Sequence, residues 1–61
     1  SVPIEEIVPL SDAADRLGIA ASSFRVWRSR ELFDVEPIGR IGNADVFDMR
    51  DIEAWMQETG R

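Results

Sequence analysis

Between Leu10 and Arg30 the apolar positions fall at helical spacing, break once at a glycine, and resume. Ala13, Ala14 and Leu17 form one stripe at i, i+1 and i+4. Ser11 stands ahead of that stripe as the expected N-cap, and Asp12 puts a negative charge in the first turn, where the helix dipole favours it. Gly18 supplies the left-handed residue that commonly ends a helix, with Ile19 as a buried turn residue after it. The spacing predicts a first helix over 11–17 and a second over 20–30. Phe24 and Trp27 mark the inward side of the second helix, with Leu32 or Phe33 beyond its end. Ser22, Ser23, Arg25, Val26, Arg28 and Ser29 fall off that stripe, so some of them must face outward.

The flanks follow other rules. Pro3 and Pro9 argue against a helix over residues 1–9, which read as an extended arm whose apolar residues pack on the rest. Two β-prone pieces, Val35–Ile38 and Asp45–Phe47, flank Gly39-Arg40-Ile41-Gly42-Asn43-Ala44, where two glycines and an asparagine suit a hairpin turn. The hairpin is placed over 35–47. Asp48 then caps a third helix over 48–59, with Asp51 at a capping-box-like spacing and Gly60 as its end. Ile52, Trp55 and Met56 give that helix one apolar face. The expected core is Leu10, Ala14, Leu17, Ile19, Phe24, Trp27, Leu32, Phe33, Val46, Phe47, Ile52, Trp55 and Met56, with the tryptophans joining the second and third helices. The fold class is mainly α with a small β-hairpin, a single 61-residue unit.

Composition narrows the chemistry. A chain of 61 residues buries only about 60% of its unfolded surface, so its stability is thin. With no cysteine and no histidine, it lacks disulfide staples, the usual zinc ligands and the usual general base. No apolar run approaches the roughly 20 residues that span a bilayer. Ser1-Val-Pro-Ile-Glu-Glu has neither the basic start nor the apolar segment of a signal peptide, so a cytoplasmic protein is expected. The net charge of −5 opposes nucleic acid at long range. It is unevenly spread: residues 1–21 and 45–61 each carry −3, whereas 22–44 carry +1. Every basic residue is an arginine, the side chain suited to bidentate contact with phosphate and guanine.

Helix, tight turn, helix, hairpin, helix is the order of a winged helix-turn-helix. The run Ala13-Ala14-x-x-Leu17-Gly18-Ile19-x-x-Ser22-Ser23-Phe24-x-x-Trp27 resembles the opening of MerR-like winged-helix DNA-binding domains. Within that group it looks like the phage and mobile-element branch of excisionases, AlpA-type regulators and terminase small subunits. The ending Asp45-Val46-Phe47-Asp48-Met49-Arg50-Asp51-Ile52-Glu53-Ala54-Trp55-Met56 is similar to the helix that follows the wing in the same group. The likeness covers residues 10–58. Ala20 departs from it, standing where many members carry a capping serine or threonine, and the acidity is a second departure. The resemblance implies sequence-specific binding of double-stranded DNA, in packaging, excision or transcription control, in the cytoplasm of a bacterial or phage-infected host cell. One module of this size makes few contacts, so useful affinity calls for a dimer, cooperative neighbours or a larger protein.

The candidate DNA contacts are Ser22, Ser23, Arg25, Arg28, Arg30, Arg40 and Asn43. Arg25 and Arg28 sit about one turn apart, so both can reach one groove, Arg25 toward base edges and Arg28 toward phosphate. The competing reading pairs them with Glu31 or Asp34. Ser22 and Ser23 offer hydroxyls and free N–H groups to a phosphate oxygen, or serve only as caps. Arg30 is held in reserve for phosphate. Arg40 at the hairpin tip suits a narrow minor groove, and Asn43 beside it is as well explained by backbone angles alone. No nucleophile–base pair, phosphate loop, cofactor motif or metal set is present, so no enzyme, cofactor or small-molecule substrate is expected. The alternative function is a protein–protein interaction module on the same fold, motivated by the −5 charge and the acidic third helix.

Overall fold

A computed structural model describes all 61 residues. A 3-10 turn at Ile4–Glu6 leads into strand β1 (Ile7–Pro9), then helices α1 (Leu10–Leu17) and α2 (Ala21–Ser29). Strands β2 (Gly39–Ile41) and β3 (Ala44–Asp48) follow, and helix α3 (Met49–Thr59) closes the chain. About half of the residues are helical. The sheet is three-stranded and antiparallel, in the order β1-β3-β2.

The extended arm expected over residues 1–9 is in part a strand of the sheet, preceded by one 3-10 turn. The prolines confine helix to the single turn between them, where the Glu6 N–H donates to the Pro3 carbonyl at 2.9 Å. Ile7, Val8 and Pro9 then pair with Asp48, Phe47 and Val46. Proline is tolerated in β1 because an edge strand has one side with no ladder to complete. Val8 is fully buried. Since β1 runs straight into α1, the helix starts at Leu10 with Pro9 before it. Ser11 lies inside the first turn and caps nothing.

The hairpin is also tighter than 35–47. Gly42 and Asn43 form a two-residue turn between Ile41 and Ala44. Gly42 has φ +60° and Asn43 does not have a positive φ, the pattern of a type II′ turn. Pro37 has no N–H to give a ladder, so pairing begins one residue later, with Ile38 N–H donating to the Val46 carbonyl at 2.8 Å.

α1 and α2 are joined by three residues. Gly18 takes φ +70° and the Ile19 N–H returns to the Ala14 carbonyl at 3.0 Å, a Schellman ending. α2 ends in the same way, but its left-handed residue is Glu31, the one non-glycine with positive φ (58°). Leu32 N–H donates to the Trp27 carbonyl at 2.8 Å, and Glu31 N–H to that of Arg28 at 3.0 Å. The reversal at Glu31 decides which of its successors goes inward. Phe33 is buried, whereas Leu32, an expected core residue, is 42% exposed.

All five aromatic residues meet in one cluster. Phe33 contacts Phe24, Phe47 and Trp55 with ring centroids 5.2, 5.6 and 5.0 Å apart. Trp27 lies 5.4 Å from both Phe24 and Trp55, which ties α2 to α3. Most pairs are edge-on, the arrangement the ring quadrupoles favour. Val8, Ala13, Ala14, Met49 and Ile52 complete the buried core, with Leu10, Leu17, Ile19, Trp27 and Met56 packed partly buried against it. Val8, Ala13 and Met49 were not among the expected core positions.

At the start of α3 the Asp48 side chain accepts from the Arg50 N–H at 3.0 Å, as its cap role requires. The same carboxylate takes two bonds from the Arg50 guanidinium, at 3.0 and 2.8 Å.

Candidate nucleic-acid interface

The side of α2 turned away from the aromatic cluster carries Ser22, Arg25, Val26 and Ser29, all exposed. They recur at i, i+3, i+4 and i+7, so they form one continuous outward stripe. Phe24, fully buried, and Trp27 hold the opposite side against the core. Val26 is 43% exposed, a large apolar side chain in the middle of a polar stripe. Val26 and Ser29 were not singled out as contacts from the sequence, although both sit off the inward spacing that Phe24 and Trp27 set.

The predicted contact residues divide into three groups. Arg25 and Arg30 are exposed and make no ion pair. Ser22 is exposed in the first turn of α2. Ser23 is half-buried, and its N–H donates to the Ala20 carbonyl at 3.0 Å, so that donor is not free for a phosphate.

Arg28 and Arg40 behave differently. Arg28 does not extend beside Arg25 but turns to Asp45 of the hairpin. Its Nη2 donates to Asp45 Oδ2 at 2.5 Å, and its guanidinium lies 5.8 Å from the Phe47 ring centroid. The partner is neither Glu31 nor Asp34. Arg40 Nε lies 3.7 Å from Asp45 Oδ1, and its Nη2 donates to the Asn43 carbonyl at 3.1 Å. Asn43 thus contributes a backbone acceptor that fixes Arg40, and positive φ is not its reason for being there. The carboxylate of Asp45 therefore joins α2 to the hairpin.

Beside this junction lies a crevice of about 270 Å³, lined by Pro9, Leu10, Ser11, Arg28, Asn43, Ala44 and Asp45. It is open and polar, and nothing in it pairs a nucleophile with a base. No three acidic side chains converge on a point that would hold a metal ion, and every buried side-chain polar atom has a hydrogen-bond partner. Elsewhere, the Arg50 guanidinium beside Asp48 holds that carboxyl below the usual carboxylate range despite its burial.

No helix is long and apolar enough to cross a membrane. Searches against protein-family models, curated proteins and solved structures give no match for this chain.

Proposed function

We propose that this chain is a sequence-specific, double-stranded-DNA-binding domain of the winged helix-turn-helix class, MerR-like in layout. α2 enters the major groove, and the β2–β3 hairpin is the wing that touches the adjacent groove or backbone. The observation that carries this reading is the outward stripe of α2, with a free arginine, two serines and one exposed valine beside a hairpin that bears a second arginine. With side chains an α-helix such as α2 is about 10–12 Å across, which a major groove about 12 Å wide admits.

All of these side chains but Ser29, whose hydroxyl donates to the Val26 carbonyl at 2.8 Å, have a role in that pose. Arg25, nearer the helix N-terminus, reads a guanine edge, and Val26 meets a thymine methyl. Ser22 and the Ser23 hydroxyl take backbone phosphate, Arg30 a phosphate further along. Arg28 and Arg40 lie at the helix–wing junction, where they can reach phosphate only by leaving Asp45. A module this small makes few contacts, so a second copy or a larger protein supplies the rest of the affinity. The process, on the resemblance to the phage and mobile-element branch, is packaging, excision or transcription control.

Selection from a random duplex pool, followed by titration over a salt series, tests the proposal. With Arg25 and Arg30 as the free cations, the slope of log K against log salt on random duplex is about −2. Arg25→Ala weakens the selected duplex by roughly 1–3 kcal/mol, more than it weakens random DNA, where only one charge contact is lost. Equal loss on both would move Arg25 to phosphate. A wild-type chain that enriches no sequence and binds no duplex at low salt would overturn the proposal. That result would promote the second reading, a protein-interaction module whose arginine face seats on an acidic partner. The net charge of −5 and the pairing of two arginines with Asp45 favour that alternative.

A further inference from the structure

We infer that Asp45 is a specificity-determining residue that acts without touching a base: it withholds Arg28 and Arg40 from any polyanion that does not also engage α2. The inference rests on the DNA-binding reading.

Three observations carry it. One carboxylate faces two arginines from two different elements, Arg28 of α2 at 2.5 Å and Arg40 of β2 at 3.7 Å. The Asp45 side chain is only 24% exposed, whereas those of its partners are 45% and 64% exposed. The acid is thus recessed and both guanidiniums are within reach of a ligand at the surface. Meanwhile Arg25 of α2 and Arg30, the residue that follows that helix, carry no acidic partner. The cationic face is therefore split into two arginines always on offer and two held back.

A phosphate chain must compete with Asp45 for the held pair. Loose electrostatic association with random DNA engages Arg25 and Arg30 and gains little by pulling the other two away. A duplex that accepts the α2 stripe brings its phosphates to the helix–hairpin junction at close range, and there the exchange of carboxylate for phosphate becomes favourable. Asp45 thereby lowers non-specific binding more than specific binding. It positions Arg28 and Arg40 and is not itself a contact.

The test is affinity for the selected duplex and for random duplex, each over a salt series, in wild type, Asp45→Asn and Asp45→Glu. Asparagine keeps the shape and removes the charge. It is expected to tighten random DNA roughly tenfold at low salt, from two surface pairs released. The slope on random DNA should steepen from about −2 to about −4 as two more phosphates are neutralised. The selected duplex gains less, so selectivity falls. Asp45→Glu keeps the charge and returns the wild-type slope. Arg28→Gln gives an independent check in a variant that retains Asp45. It should leave the random-DNA slope unchanged, because the lost arginine was already withheld.

Failure separates cleanly. If wild type selects a sequence but Asp45→Asn leaves slope and selectivity unchanged, the role of Asp45 is overturned and the DNA reading stands. Weaker binding together with a lower melting temperature would make Asp45 a strut and equally overturn it. If no variant binds any duplex at any salt, both fall.

Discussion

Replacing Glu31 by glycine should make this protein more stable, although it deletes every side-chain atom at the position. Each helix ends in a Schellman turn. Gly18 and Gly60 hold the left-handed position in α1 and α3, with φ of 70° and 69°. Glu31 holds it in α2 with φ 58°. A Cβ in that conformation crowds the following carbonyl at a cost of about 1–2 kcal/mol. The carboxylate adds to this, since a negative charge at a helix C-terminus opposes the dipole by roughly 0.3–1 kcal/mol. Against both stands the freer unfolded chain that glycine brings, about 0.4–1 kcal/mol. The balance is a gain of about 1 kcal/mol, which in a domain of this size raises the melting temperature by roughly 4–8 °C. Thermal melts followed by far-UV circular dichroism measure it. Glu31→Ala isolates the dipole part, because it removes the charge and keeps the Cβ, and should give the smaller rise. Gly18→Ala runs the same experiment in reverse. An added Cβ there meets nothing within 4 Å, so its destabilisation, about 1 kcal/mol, comes from backbone conformation alone. A melting temperature for Glu31→Gly at or below that of Glu31→Ala would refute the claim that strain resides in this turn.

Other perturbations test the core and the caps. Trp55→Ala should cost about 3–5 kcal/mol and leave little folded protein, and Trp27→Ala, at a half-buried site, should cost less; chemical denaturation ranks the two. Asp48 has a folded pKa below its ordinary value of 3.8, so its pairing with Arg50 stabilises the fold fully above that value and is lost as pH falls through the depressed one. Melts of wild type and Asp48→Asn, in which asparagine keeps the cap, should accordingly differ at neutral pH and converge in strong acid. A constant gap across pH would show that the ion pair contributes nothing. Truncating Val8 to alanine should destabilise like a core change, whereas Ile4→Ala, at an exposed position, should leave the melt unchanged.

What could be read from the sequence was what depends on near neighbours. Gly18 and Gly60 ended their helices, Asp48 capped α3, and Phe24 with Trp27 fixed the inward side of α2, all from signals within one or two turns. The failures share a cause in sequence distance or in backbone state. β1 escaped notice because Ile7-Val8-Pro9 contains a proline and becomes a strand only by pairing with β3. Ser11 resembled a cap because nothing local announces that β1 feeds directly into α1. Leu32 reads as a core residue because glutamate carries no signal for the left-handed turn that Glu31 makes. The partner of Arg28 lies 17 residues away in the hairpin, out of reach of any helical spacing rule. The stripe on α2 could be read as a set of outward candidates, but the division of its arginines into free and held could not.

The antiparallel pairing of Val8 with Phe47 also governs when the molecule can come into being. During vectorial synthesis α1 and α2 emerge first, yet the surfaces they must cover, Phe47, Ile52 and Trp55, are still untranslated. Closing so long a loop adds only modestly to the entropic cost, because that cost grows with the logarithm of length, but nothing rewards the closure until β3 exists. A ribosome-bound fragment ending near Arg40 would therefore remain a pair of fluctuating helices. The fold thus waits for β3, and deleting Ile7–Pro9 would remove the strand that β3 pairs with.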